Sequence, residues 1–210
     1  MLNSYLLDNR CLVCNNSSKD RVCQSCIDSL SYYPKENFIT FSNNFYFNNF
    51  YTLLNFNNSL KKMIHLYKFE NKRFFATLFS ELLLKNFSKE FFNNYDYIIL
   101  TPLHNKKLKK RGFNQTTLII EKIVKKDKIF FNIERVKNTK QQSLLNSREE
   151  RIDNLDNSFM FKNSSYKLIK DKKILIFDDI FTTGTTVNSI AKLLYFAEAK
   201  LIDVLTIGIA

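Results

Sequence analysis

Residues 173–186 read K-I-L-I-F-D-D-I-F-T-T-G-T-T, and the order of their parts decides the fold class. Ile174, Leu175, Ile176 and Phe177 form a short apolar run bounded by charges. Such a run suits a strand buried on both faces of a parallel sheet. Asp178 and Asp179 follow at the expected carboxyl end of that strand. A turn of small residues comes next, Thr182, Thr183, Gly184, Thr185 and Thr186. Val187, Ile190, Ala191, Leu193 and Leu194 then recur at helical spacing. Strand, turn and helix in this order predict an α/β domain, whose ligands bind outside the carboxyl ends of the strands.

The turn has the chemistry of a phosphate site. The first amides of a helix lack intrahelical partners, and the helix dipole adds partial positive charge there. Gly184 allows close backbone approach, and four threonines offer hydroxyl donors. The two carboxylates would repel the same phosphate. They match hydroxyl groups or a hydrated magnesium ion instead. Phosphate on one side and hydroxyls on the other describe a ribose 5-phosphate. An ordinary strand, turn and helix with two surface aspartates is the plainer reading of either feature taken alone.

The whole string closely resembles the phosphoribosyl pyrophosphate (PRPP) motif of type I phosphoribosyltransferases. The resemblance implies that Asp178 and Asp179 hold the ribose hydroxyls, with magnesium accompanying PRPP. It also implies that Thr182, Thr183, Gly184, Thr185 and Thr186 hold the 5-phosphate.

The chain has 210 residues, enough for one ordinary domain and a small appendage. No apolar run is long enough to cross a bilayer, and the first ten residues are too short and polar for a signal peptide. The expected location is the cytoplasm, with recruitment to the inner face of the membrane as a further expectation. Net charge is +12. That excess favours polyanions such as nucleic acid, nucleotides or anionic membrane. A compositional bias toward Asn, Lys, Phe and Ile accounts for it equally well.

Cys11, Cys14, Cys23 and Cys26 form two Cys-x-x-Cys pairs separated by eight residues. Two such turns supply four soft ligands in a tetrahedral set, which suits a structural zinc with no open position for catalysis. Disulfides suit a cytosolic protein poorly, and a redox pair would not need the second motif. Three regions are expected: a zinc-binding module over residues 1–36, a connecting segment over 37–58, and the main domain over 59–210.

Along the main domain, Ser59 is the expected cap of a helix over residues 60–69. Met63, Ile64 and Tyr67 would form its buried face, with His65 a structural residue among them. A second helix is expected over 73–91, a buried strand over 97–100, and a third helix over 113–125. Strands are also expected around Ile133, Phe159 and the last residues, 202–209. Between them, Ser147 can cap a short helix that places Arg148 and Arg151 on one face. Gln141, Gln142 and Asn154 lie in the same polar stretch.

Lys106, Lys107, Lys109, Lys110 and Arg111 crowd the loop just past the strand over 97–100. They can neutralise a pyrophosphate or the phosphates of DNA. A solvated run of charge is the plainer reading.

The pattern P-L-x-x-x-x-L-x-x-R-G-F-N-Q, residues 102–115, resembles the bacterial competence protein F (ComF) family, a branch of the phosphoribosyltransferase-like proteins. The four-cysteine start, S-L-K-K-M-I-H-L-Y-K-F, T-K-Q-Q-S-L-L-N-S-R-E-E-R-I-D-N-L and D-D-I-F-T-T-G-T-T fit it in the same order. The resemblance implies a type I phosphoribosyltransferase-like parallel-sheet domain with an N-terminal zinc ribbon. It implies a role in natural transformation, with imported single-stranded DNA handled in the cytoplasm. A DNA helicase or another part of the uptake machinery would be the protein partner.

As an enzyme, such a chain would break the bond between ribose C1 and pyrophosphate and pass the sugar to a nitrogen acceptor. Its acceptor and catalytic residues stay unassigned. Purine-salvage members often carry an aspartate where this chain has Thr182, and a threonine hydroxyl is a poor general base. A non-catalytic PRPP-binding or sensor protein therefore stands beside the enzyme.

Overall fold

The computed structural model describes residues 9–34, 45–103, 108–109, 111–136 and 158–210. Its main sheet has four strands: β1 (Asn49–Asn55), β2 (Tyr97–Leu100), β5 (Lys173–Phe181) and β6 (Leu201–Ile209). Their order is β1-β6-β5-β2, and every pair is parallel. The expected α/β parallel sheet is thus present. Ile174, Leu175, Ile176 and Phe177 are fully buried in β5, as a strand covered on both faces requires. β3 (Ile133–Arg135) and β4 (Phe159–Phe161) form a separate antiparallel pair.

Helices cover both faces. α6 (Thr185–Phe196) buries Val187, Ile190, Ala191, Leu193 and Leu194, the periodic residues of the sequence. They pack with Ile174, Ile176 and Val204 on one side of the sheet. On the other side, α2 (Asn58–Phe69), α3 (Phe74–Asn86), the short α4 (Lys89–Asn93) and α5 (Gln115–Ile120) pack over Leu175, Phe177 and Leu205.

Several boundaries differ from expectation. Asn57, not Ser59, caps α2: its side chain accepts from the Leu60 amide at 2.9 Å. The Ser59 hydroxyl instead meets the Ser29 hydroxyl at 2.7 Å. The helix expected over 73–91 breaks at Phe87, whose extended backbone separates α3 from α4. The helix expected over 113–125 holds α geometry only over Gln115–Ile120. It starts late because Gly112 has φ +76° and Asn114 takes the cap. β5 runs on to Phe181, so both aspartates belong to the strand. His65 is exposed, not part of the buried face, and its Nδ1 lies 3.5 Å from a Glu70 oxygen.

The cysteine module includes α1 (Gln24–Asp28) and is built into the larger core. Cys11, Val22, Cys26 and Leu30 share one apolar cluster with α2 and α3. The Asn57 amide group donates to the Ser29 carbonyl at 2.8 Å, and the Tyr33 amide to the Leu53 carbonyl at 3.0 Å. Residues 49–55, within the stretch expected to connect the regions, supply the edge strand β1.

At the amino ends of the strands sits a buried polar group. Asp203 accepts from the Tyr95 hydroxyl at 2.7 Å, and from the Asn49 side chain and backbone at 2.9 and 3.1 Å. These bonds hold β1, β6 and the chain entering β2 together at the end away from the aspartate pair.

Candidate functional site

Asp178 and Asp179 sit near the carboxyl end of β5, where a parallel sheet exposes its ligand crevice. Asp178 is half-buried and Asp179 is 8% exposed. One oxygen of each is already committed. The Asp179 amide donates to Asp178 Oδ1 at 2.8 Å, and Lys68 Nζ lies 2.7 Å from Asp179 Oδ2. Burial pushes the Asp178 carboxyl up to about 7, and the charge of Asp179 pushes the same way. The Asp179 amide, Lys68 and Thr101 pull against them.

Lys68 escaped the sequence reading. It stands in the last turn of α2, four residues after buried Ile64. That spacing puts it on the edge of the apolar face, and a lysine facing a core is the signal that could have found it. Its neighbours fix its approach. Tyr67 is fully buried and donates its hydroxyl to the Gln115 carbonyl at 2.8 Å. Phe69 lies under the Arg111 guanidinium, 5.1 Å from the ring centre.

Among the described residues of the basic loop, Arg111 is the one that the structure brings to the acids. Burial draws its guanidinium below the usual value, and the charge of Asp179 pushes it back up. Lys109 is exposed. Lys106, Lys107 and Lys110 lie outside the described residues, as do Gln141, Gln142, Ser147, Arg148, Arg151 and Asn154. The residues after Arg111 anchor the loop. Phe113 packs against Tyr67 at 5.7 Å and beneath Arg73 at 4.9 Å. Asn114 caps α5 through the Thr116 amide at 3.1 Å, and donates to the Thr101 carbonyl at 3.3 Å. The R-G-F-N-Q string thus ties the basic loop to the end of β2. Gln115 is 2% exposed, and its side-chain oxygen has no hydrogen-bond partner among the described residues.

The threonine turn follows β5 directly. Thr182, Thr183 and Thr185 are exposed and Thr186 is half-buried. The Thr183 and Thr185 hydroxyls lie 2.9 Å apart. Gly184 has φ +73°, and a Cβ there would stand 2.5 Å from the Phe181 ring and 2.8 Å from that of Phe45. Glycine is therefore required by conformation and by packing. The N-terminus of the twelve-residue α6 and three exposed threonine hydroxyls follow the acids directly in the chain, with the Thr185 amide donating to the Thr183 hydroxyl at 3.4 Å.

Cys11, Cys14, Cys23 and Cys26 bring their sulfurs within 4.8 Å of one another, and all four are free thiols. The Val13 and Cys23 amides donate to Cys11 Sγ at 3.4 and 3.3 Å. Burial opposes ionisation of Cys11, yet amide donors draw its thiol down to about 6. Burial pushes the Cys26 thiol up. Four convergent sulfurs with N–H···S support can hold one tetrahedral zinc. The module meets α2 at its first turn, whereas Lys68 meets Asp179 at its last. The helix between them is about 17 Å long at 1.5 Å per residue, so cysteines and acids are separate centres.

Magnesium fits the acids less well. It demands six oxygens in near-octahedral geometry. Two carboxylates with one oxygen each engaged supply few of these, so the described residues suit a magnesium ion whose shell is completed by water and a ligand.

No family model matches the chain. Curated relatives do. Competence protein ComFC of Streptococcus pneumoniae is 29% identical over 148 residues, covering 70% of this chain and 62% of that protein. Competence protein F of Haemophilus influenzae is 34% identical over 100 residues, covering 46% and 43%. DNA utilization protein YhgH of Escherichia coli O157:H7 is 30% identical over 152 residues, covering 69% and 65%. The alignments thus span less than two thirds of each of these relatives. The resemblance to competence protein F found in the sequence is borne out by these homologues. A solved structure described as the allosteric regulatory enzyme of purine biosynthesis is a more distant likeness. It overlays 62% of this chain and 25% of that one, with a TM-score of 0.37 and 12% identity. Among the described residues, no helix is long and apolar enough to cross a membrane.

Proposed function

We propose that this chain is a phosphoribosyltransferase-like protein that binds PRPP or a related ribose 5-phosphate and serves natural transformation. The observation that carries the reading is the junction of β5 and α6. There an acid pair at a strand end abuts an exposed threonine turn at a helix N-terminus. Asp178 and Asp179 would take the ribose hydroxyls. Thr182, Thr183, Gly184, Thr185 and Thr186 would take the 5-phosphate. Arg111, with the lysines of its loop, would take the pyrophosphate or a DNA phosphate. Magnesium would enter with PRPP. Zinc on the four cysteines would be structural and would hold together a module that packs into the same core as α2 and α3, while the join contributes the edge strand of the main sheet.

The names of the relatives support the setting: competence proteins and a DNA utilization protein. Single-stranded DNA is the proposed polyanion for a chain of net charge +12, with a helicase of the uptake machinery as protein partner. The proposed location is the cytoplasm, at the inner face of the membrane during uptake.

Calorimetry with PRPP and magnesium tests the ligand. Saturable binding lost in Asp178→Asn supports the site; no heat in either protein sinks it. Pyrophosphate release in the presence of nitrogen acceptors separates an active transferase from a sensor. DNA affinity that falls steeply with salt supports phosphate contacts, and a flat response removes them.

A further inference from the structure

We propose that Lys68 is the resident counter-ion of the sugar site, so that the acid pair receives ligand hydroxyls without a magnesium ion held by the protein. The inference rests on the sugar-phosphate reading above and adds a positioning residue to it.

The geometry is specific. Lys68 Nζ and Asp179 Oδ2 are 2.7 Å apart, the length of a charge-assisted hydrogen bond. The side chains are 18% and 11% exposed, so solvent screens the pair little. Two adjacent carboxylates beside a phosphate turn would repel an anionic ligand. The ammonium cancels one of those charges and leaves acceptor oxygens for hydroxyl donors.

The lysine is also held rigidly. Its predecessor Tyr67 is bonded to the Gln115 carbonyl, and its successor Phe69 carries Arg111 on its ring. Three consecutive residues at the end of α2 therefore join the basic loop, the start of α5 and the acid pair. A helix, not a loop, delivers the cation. With Asp179 paired, Asp178 alone is left to attract a divalent ion, and one carboxylate is too little to hold it without a diphosphate.

The test is calorimetry with ribose 5-phosphate, in EDTA and in excess magnesium, on wild type, Lys68→Met and Lys68→Arg. Wild type should bind with affinities within about twofold in the two conditions. Lys68→Met should bind about tenfold or more weakly in EDTA and regain part of the loss in magnesium, while Lys68→Arg keeps most of the affinity. A purely structural lysine would give a loss that magnesium does not rescue. Wild-type binding that requires magnesium overturns the proposal, as does Lys68→Met binding like wild type in EDTA. If Lys68→Met does not fold, the wild-type comparison alone decides. Should wild type bind neither ribose 5-phosphate nor PRPP in either condition, the sugar-phosphate reading falls, and the role of Lys68 with it.

Discussion

Lys68 and Asp179 form a 2.7 Å ion pair between the last turn of α2 and the end of β5, largely out of solvent. Removing one partner leaves the other charge buried and uncompensated. A fully buried pair broken this way costs about 3–5 kcal/mol, and the remaining exposure lowers that to about 1–3 kcal/mol. Asp179→Asn and Lys68→Met should each lower stability by this amount in urea denaturation. Lys68→Met with Asp179→Asn should recover most of it. Additive losses in the double variant would mean that the two side chains are not coupled.

Gly184→Ala should be among the more destabilising single changes in the sheet domain. The φ of +73° disfavours any L side chain, and the new methyl meets the Phe181 ring at 2.5 Å. Strain and overpacking together predict a loss of about 2–4 kcal/mol. Thermal unfolding checks this. Sugar-phosphate binding should fall as well, because Gly184 stands within the threonine turn itself.

Much of this was legible in the sequence, for a physical reason. The strand-turn-helix string of residues 173–186 is local: period, turn residues and helix face all lie in consecutive positions, and they were found in the expected order, although the strand runs on through both aspartates to Phe181. The cysteine spacing is local too, and its sulfurs do converge. What stayed hidden depends on distant partners. Lys68 reads as one more lysine among many until α2 is packed beside β5, 111 residues later in the chain. Asn57 outcompeted Ser59 as a cap because Ser59 found Ser29 in the cysteine module. Residues 49–55 were expected only as part of the connecting segment, since β1 gains its identity from pairing with β6.

Asn114→Ala should uncouple the basic loop from the sheet. Its side chain caps α5 and reaches the Thr101 carbonyl at the end of β2. Loss of the cap costs about 1 kcal/mol. Arg111 sits three residues upstream, so PRPP affinity should fall further than in Lys109→Ala, whose side chain is exposed. Equal affinities for the two variants would separate the cap from the site.

Cys11→Ser with Cys14→Ser should abolish the proposed zinc binding, measured as metal content against wild type, and lower the melting temperature of the whole chain. A free-standing module would melt separately. Here Cys11, Cys26 and Leu30 share a core with α2 and α3, so one lowered transition is expected instead of two.

Asp203 predicts a pH dependence of stability. Burial raises its carboxyl above the usual range, while the Tyr95 hydroxyl and Asn49 pull it back. Among the described residues, Tyr95 and Tyr51 are the titratable groups that face it, and burial raises both above the ordinary phenol range, so neither titrates in acid. A carboxyl whose folded value exceeds its unfolded value binds more protons in the folded state between the two. Stability from this group is therefore greatest in acid and declines as pH rises from the unfolded value through the folded one. Above the folded value the loss is complete and constant. Asp203→Asn cannot titrate, so the stability of wild type relative to this variant should decline over that same window and then level off. Urea denaturation of both proteins from acid to neutral pH measures the difference. A difference that grows with pH would reverse the sign and assign the three hydrogen bonds at Asp203 more weight than its burial.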